Sequence, residues 1–504
     1  MVNGPFLCRH LFFFAFTITG AVTDLLIMDY LQSSPTTLQM QVGSCQRLNS
    51  YDFISQMPDD VLIKILSLVS IKDAVATSGV TTRWRYLWLN LRQLNFDAWE
   101  IFLNNIDSAD HVVKSAEEKY IKSVNSVIKS YNHPTIIKRK VEFLELDLSC
   151  DYLDWCSRGE GYDFPSELYN NNDYIQSHEF PYIKKIVLKM VYVSQDVFEA
   201  FLKNFPNLEM ISIHHPRHLY RFDVNGQFPN LKHLEIVDIC YGGSIYLSDL
   251  DNLVSFTFKG YDEDLRLAHL PKLKELHIYM IRLNVKNVFD QIWSFALSMQ
   301  SLSLTSFVSA GDLIIDSVPK LPNLKKFRLK AGVGGNGEDH LIFLDSIMNA
   351  CLILETISIE TEYISPIINR KKVSDAANIH EHLKLFEIVN CWDRNPDFEL
   401  ATYIIQTAVA LEKVVIKFTR ARASMEEEAQ SFAERIKLII PQSVVELIME
   451  CLQSSSTTLQ MQVGSHQRLN SYDFASQMPD DVLIKILSFV PIKDAVATSG
   501  VATR

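Results

Sequence analysis

One pattern fixes most of what this chain can fold into: L-x-x-L-x-L, recurring from about Val141 to Ile416. It stands as PNLEMISI at Leu208, PNLKHLEI at Leu231, DNLVSFTF at Leu253, PKLKELHI at Leu273 and PNLKKFRL at Leu324. Looser copies are VEFLEL at Val141, IKKIVL at Ile183, MQSLSL at Met299, LETISI at Leu354, LKLFEI at Leu383 and LEKVVI at Leu411. The alternation at the end of each copy is that of a short strand with one face buried, and the residues between copies leave room for a helix or loop. No single copy can bury its apolar side chains alone, so the units must stack side by side into a curved array with one shared core. The informative positions are then the outward ones between the leucines. Ser212, Glu235, Thr257, His277 and Arg328 are expected to line the concave face.

The well-formed spacings, 20 to 26 residues, and the later ones near 30 fit leucine-rich repeats. At 504 residues the chain has room for roughly three domains of ~150 residues each. Its 48 basic and 60 acidic residues leave a net charge of −12, which repels phosphate backbones and anionic lipid, so protein partners are expected and nucleic acid is not. Eight cysteines are scattered without a C-x-x-C pair, as reduced thiols would be, and no metal or other cofactor is expected.

Ahead of the repeats, Met57 to Trp88 reads MPDDVLIKILSLVSIKDAVATSGVTTRWRYLW. Pro58 suits a first helical turn, and Asp59 and Asp60 oppose the helix dipole. Val61, Leu62, Ile65 and Leu66 then form a continuous apolar stripe. About forty-five residues bury too little surface to be comfortably stable alone. With no metal or disulfide pattern to supply the difference, a partner is implied. The order of residues resembles the plant F-box, with Met57 where leucine is usual and Thr81-Thr82 where Ser-Lys is usual. That resemblance implies docking on the Skp-type adaptor of cullin ubiquitin ligases, through Pro58, Val61, Leu62, Ile65, Leu66, Val80 and Trp84. The stretch HLKLFEIVNC from His382, FELATYIIQTAVALEKVVI from Phe398 and AERIKLIIPQSVVELI ending at Ile448 likewise resembles the plant FBD-type tail.

Met28 to Arg83 recurs as Met449 to Arg504, with eight differences in 56 aligned positions, and the copy stops before any equivalent of Trp84. The block reads as the start of a tandem copy joined to the first. Met28 reads as an ancestral start, which makes residues 1–27 an extension or gene-model artefact. The expected organisation is a leader over 1–51, the F-box over 52–97, a linker over 98–138 with a helix around Val112 to Lys129, repeats over 139–379, the FBD-like region over 380–448, and the duplicated leader with a truncated second F-box over 449–504. The fold class is α/β: a three-helix F-box followed by an irregular leucine-rich-repeat solenoid with an FBD-like C-terminal part.

Three other motifs point elsewhere. Gly332, Gly334 and Gly337 form G-x-G-x-x-G after a strand, with Glu360 at the spacing of a dinucleotide fingerprint; a strand, turn and helix of the repeat itself explain the same residues. His214, His215 and His218 lack a carboxylate or cysteine at ligand spacing in sequence, and His380-Glu381-His382 is not H-E-x-x-H. No catalytic residue is assigned. The resemblance implies a non-catalytic, substrate-recognition subunit of a Skp-cullin-F-box type ubiquitin ligase in the cytoplasm, the nucleus or both, bound to the adaptor, through it to a cullin, and to a target protein. The apolar stretch Leu7 to Ile27 supports one alternative, a secreted or membrane-anchored repeat protein. The absence of any Asn-x-Ser/Thr sequon argues against it, and a membrane is not expected as a partner.

Overall fold

A computed structural model describes residues 58–67, 69–79, 82–98, 110–131, 141–148, 162–163, 182–216, 219–226, 228–238, 243–261, 264–281, 283–306, 318–333, 340–363, 379–391, 395–419, 425–440, 444 and 446–452. The chain divides into two compact units, Met1–Val69 with Ser456–Arg504, and Ser70–Ser455. In the first, the helix α1 (Asp59–Leu66) carries its two aspartates in the first turn, and Leu62 N–H reaches back to the Pro58 carbonyl at 3.1 Å. Leu62 and Leu66, four residues apart on one face, are 0% and 1% exposed.

The second unit opens with α2 (Ile71–Ala76). Ser70 caps it: its hydroxyl oxygen accepts from the Asp73 amide at 3.2 Å and its proton goes to the Asp73 carboxylate at 2.7 Å. A 3-10 turn at Thr77–Gly79 follows, and then a longer 3-10 segment, Trp84–Asn90, which buries Trp84, Leu87, Trp88 and Leu89. The third element of the expected F-box is therefore this 3-10 segment.

The strands, in chain order, are β1 (Gln93–Asp97), β2 (Phe143–Asp147), β3 (Tyr162–Asp163), β4 (Lys185–Lys189), β5 (Val191–Tyr192) and β6 (Met210–His214). There follow β7 (Arg221–Asn225), β8 (His233–Val237), β9 (Ser244–Ser248), β10 (Ser255–Gly260), β11 (Asp264–Ala268) and β12 (Glu275–Met280). The last are β13 (Ser301–Ser306), β14 (Lys326–Val333), β15 (Thr356–Tyr363), β16 (Leu385–Cys391), β17 (Lys413–Thr419) and β18 (Glu446–Leu452). Between them lie α3 (Asp110–Tyr131), α4 (Gln195–Asn204), α5 (Val285–Ile292), α6 (His340–Ala350), α7 (Asn395–Thr407) and α8 (Met425–Lys437).

A thirteen-stranded sheet runs β1-β2-β4-β6-β8-β10-β12-β13-β14-β15-β16-β17-β18, parallel throughout and in register from repeat to repeat except for one shift between Val389 and Cys391 where β16 meets β17. Strands of the repeats send alternate residues inward. Ile211 and Ile213, Phe256 and Phe258, Phe327 and Leu329, Phe386 and Ile388 are all buried, as are the leucines that precede them, Leu208, Leu253, Leu324 and Leu383. This is the solenoid core. Two junctions matter for domain bounds: β1, at the end of the F-box resemblance, is already the first strand of the sheet, and β18 runs without interruption across Ile448 and Met449.

The asparagines of the Pro-Asn and Asp-Asn signatures have a defined task. Asn230 Nδ2 donates to the Pro206 carbonyl at 2.8 Å, Asn252 to Pro229 at 3.0 Å and Asn323 to Leu297 at 2.7 Å. Each amide ties the turn before one strand to the turn before the previous one, satisfying a carbonyl that the parallel ladder leaves free.

On the return limb of three repeats, β7, β9 and β11 form a second parallel sheet in the order β11-β9-β7. Its two open edges are closed by glutamine side chains from the flanking helices. Gln195, at the start of α4, donates to the Asp223 carbonyl at 3.1 Å and accepts from the Asp223 amide at 3.4 Å. Gln291, in α5, accepts from the Leu267 amide at 2.6 Å and donates to the Leu265 carbonyl at 3.1 Å. A primary amide presents a donor and an acceptor side by side, so each glutamine stands in for the missing neighbouring strand. Gln291→Ala leaves the Leu267 amide and the Leu265 carbonyl without that partner and is expected to cost about 1–3 kcal/mol. Urea unfolding measures the loss, and faster hydrogen exchange at the Leu267 amide locates it.

Candidate functional site

The parallel register places the outward residues of successive strands in rows. In the central row, Glu145, Val187, Ser212, Glu235, Thr257, His277, Ser303, Arg328, Ser358 and Glu387 are successive neighbours from β2 to β16. Ser212, Glu235, Thr257, His277 and Arg328 thus share one line across the sheet. Ser303, between His277 and Arg328, completes it. MQSLSL at Met299 carries the signal for Ser303, because its Leu302 and Leu304 must both face the core.

The line has a closed half and an open half. Ser212 is 2% exposed and donates its hydroxyl proton to Glu235 Oε2 at 2.7 Å, while its oxygen lies 2.9 Å from His214 Nε2. His214 Nε2 is also 3.3 Å from the same carboxylate. Serine, histidine and acid here do not make a catalytic relay. In a relay the histidine takes the hydroxyl proton and the acid holds the opposite ring nitrogen; here the hydroxyl proton points at the carboxylate, and both partners meet one nitrogen. The cluster is a polar lock between β6 and β8.

In the open half, Thr257, His277, Ser303 and Arg328 make no side-chain hydrogen bond or ion pair among the described residues. Arg328 is exposed, and the other three are half-buried. Burial pushes the His277 imidazole below its ordinary value, with the Glu275 carboxylate opposing, so its ring is neutral near pH 7.

Beyond the sheet's C-terminal ends the chain turns through left-handed residues at matching places, Met190 (φ 57°), His215 (φ 50°) and Asp238 (φ 53°). This turn brings His215 Nδ1 to 3.4 Å from Asp238 Oδ2. Burial raises the Asp238 carboxyl and lowers the His215 imidazole. The two histidines of HHPRHLY therefore do meet carboxylates, but on the next strand, more than twenty residues away, and each faces a different one. His218 lies outside the described residues. Among the described residues no group of three or more histidine, cysteine, aspartate or glutamate side chains is placed to hold a metal ion.

Of the glycine fingerprint, Gly332 lies in β14 opposite Glu362, and Gly334 and Gly337 lie outside the described residues. Glu360, which would have to face a ribose, is paired with Lys330 at 2.6 Å.

Of the residues expected to dock an adaptor, Pro58 is exposed, Leu62 and Leu66 are buried and Trp84 is 9% exposed. Val61 and Ile65 lie in α1; Val80 lies outside the described residues. Tyr86, outside the expected set, is 61% exposed on the Trp84–Asn90 segment, between the buried Trp84 and Leu87. The only signal for it is the break in an otherwise apolar run.

Comparison with known proteins agrees with this geometry. A family model described as the At1g61320/AtMIF1 LRR domain matches residues 175–466, and an F-box domain model matches residues 54–96 and again 475–504. The F-box/FBD/LRR-repeat protein At4g26340 of Arabidopsis thaliana is 24% identical over 406 residues, covering 71% of this chain and 91% of its own. The putative F-box/FBD/LRR-repeat protein At3g49030 of the same plant is 26% identical over 420 residues, 73% of this chain and 88% of its own. A third, the putative F-box/FBD/LRR-repeat protein At5g52460, is 51% identical over 57 residues, 10% of this chain and 15% of its own.

The polar lock titrates. The hydrogen bond with His214 is the largest influence on Glu235 and holds its carboxyl below its ordinary 4.5, against burial and with help from Ser212. A carboxyl depressed in the folded state contributes stability above its unfolded value and loses it as pH falls through the folded one. Replacing Glu235 by Gln is therefore expected to lower stability at pH 7 and to flatten its decline below about pH 4.5, read from urea midpoints across pH.

Proposed function

We propose a function from one premise: the chain belongs to the leucine-rich-repeat family of the At1g61320/AtMIF1 type and carries an F-box ahead of its repeats. It is the substrate-recognition subunit of a Skp-cullin-F-box type ubiquitin ligase. The F-box binds a Skp-type adaptor, and through it a cullin, while the concave face of the array binds a target protein. The chain's contribution is proximity, with ubiquitin transfer carried out by other subunits. The observation that carries this reading is the succession in one chain of an F-box and a continuous parallel array whose central outward row has an open, polar half at Thr257, His277, Ser303 and Arg328. Such a subunit works in the cytoplasm, the nucleus or both, and no described helix is long and apolar enough to cross a membrane. The secreted alternative has no support from the comparisons, and Leu7 to Ile27 lies outside the described residues.

The adaptor-binding set is Pro58, Val61, Leu62, Ile65, Leu66, Val80 and Trp84. Its members divide in kind: Leu62 and Leu66 are buried, whereas Pro58 offers exposed surface. Capture of the adaptor from solution tests the assignment. Leu62→Ala with Ile65→Ala is expected to abolish capture, since a fully buried aliphatic side chain such as Leu62 contributes roughly 1.5–3 kcal/mol. Pro58→Asp, at an exposed position, is expected to weaken capture while leaving the unfolding midpoint in place; undiminished capture by both variants rejects the assignment.

In this reading the first F-box copy is the working one: in the second, Pro491 stands where Ser70 caps α2, so no hydroxyl is available there. Ending the chain after Leu452, which keeps β18 whole, is expected to leave adaptor capture unchanged in the same assay.

A further inference from the structure

Eight lysines and arginines point outward from the main sheet, and six of them have partners on it. Lys189 is paired with Asp147 at 2.8 Å and Glu145 at 3.3 Å, Lys330 with Glu360, Lys413 with Glu446 at 2.8 Å and Lys417 with Glu387 at 2.9 Å. Lys185 lies over the Phe143 ring at 5.2 Å and Lys259 over the Tyr279 ring at 5.1 Å. The remaining two, Lys326 and Arg328, stand two residues apart on β14, are exposed, and make no hydrogen bond, ion pair or ring contact among the described residues. Their neighbours in register are hydroxyls: Ser301 and Ser303 on β13, Thr356 and Ser358 on β15. Ser358 is spent on Glu387 at 2.6 Å; Ser301, Ser303 and Thr356 have no side-chain partner among the described residues. In these two rows the nearest carboxylates, Glu275 and Glu387, are two strands away, and Glu387 is already held by Lys417.

We infer that Lys326 and Arg328, with the Ser301, Ser303 and Thr356 hydroxyls, form a seat for an anionic side chain, carboxylate or phosphate, on the target peptide. A guanidinium presents a planar fork of donors that matches either group, and the lysine adds a point charge. Hydroxyls on both flanking strands, about 4.8 Å to each side, can donate to the remaining oxygens. On a chain of net charge −12, a pair of cations with no direct ion pair, felt only at longer range by Glu355 and Glu387, is a local reversal of sign, and it selects the acidic part of a ligand against the long-range field. Thr257 and His277 continue the open half of the central row from this seat and offer neutral contacts to the rest of an extended peptide.

The inference rests on the reading of the array as the target-binding part, and its test keeps the two apart. The full-length chain is titrated, by fluorescence anisotropy, with three degenerate peptide pools that differ only in a central phosphoserine, aspartate or serine. Binding of the phosphoserine pool, or of both acidic pools, about tenfold or more tighter than the serine pool is expected. Preference for phosphoserine alone identifies phosphate; equal preference for aspartate identifies any acidic side chain. Lys326→Gln with Arg328→Gln, and Arg328→Gln alone, are expected to remove or reduce that preference without moving the unfolding midpoint, because both side chains are exposed. No binding by any pool, equal binding by all three, or a preference that survives both variants overturns the inference. Adaptor capture is measured on the same protein: its loss with the anion preference intact rejects the ligase reading alone, and the reverse rejects only the anionic seat.

Discussion

Everything in the larger unit depends on the two inward side chains of each strand, because one repeat has no other repeat's worth of apolar surface within itself. Ile213, Phe258, Leu304, Leu329 and Ile388 each lie against the equivalent residue of the next strand, and the parallel ladder holds that spacing. Once the inward column is set, the outward rows are set with it, since successive side chains on a strand alternate between faces. The charges, hydroxyls and imidazoles on the outward face therefore occupy positions that the core has chosen for them.

That dependence explains which features were legible in the sequence. Inward and outward positions could be read from L-x-x-L-x-L, and Ser212, Glu235, Thr257, His277 and Arg328 do fall on one row. The state of each residue on that row could not be read, because partners on neighbouring strands are separated by twenty or more residues. Ser212 and Glu235 are 23 residues apart and satisfy each other, while Thr257 and Arg328, indistinguishable from them by pattern, remain open. The histidines of HHPRHLY illustrate the same point, since a search along the chain finds no acid near them and the fold supplies two. The glutamine caps were invisible for a further reason. Nothing in composition or periodicity marks Gln195 or Gln291 as different from any other helical glutamine; only the edge of a sheet gives them a role.

The F-box stretch was legible in a different way, through residue order over a short span rather than through periodicity. Its helix start at Pro58-Asp59-Asp60 and its buried Leu62 and Leu66 follow from that order, as does the buried Trp84. The 3-10 character of Trp84–Asn90 does not, because a run of tryptophan, tyrosine and leucine carries no strong preference between the two helical forms. Nor does the pairing of β1, which follows that segment, with β2 as the first strands of the large sheet.

The glutamines at the ends of the three-stranded outer sheet have a consequence for how such an array changes length. Any strand added to or removed from the middle of that sheet leaves its two end strands facing the same amides, since Gln195 and Gln291 recognise backbone and not side chains. The bracketed repeats form a cassette that can be lengthened or shortened by duplication or deletion of whole units, with both junctions to the helical repeats intact. In this pair of side-chain amides the array has a place where insertion costs no new boundary.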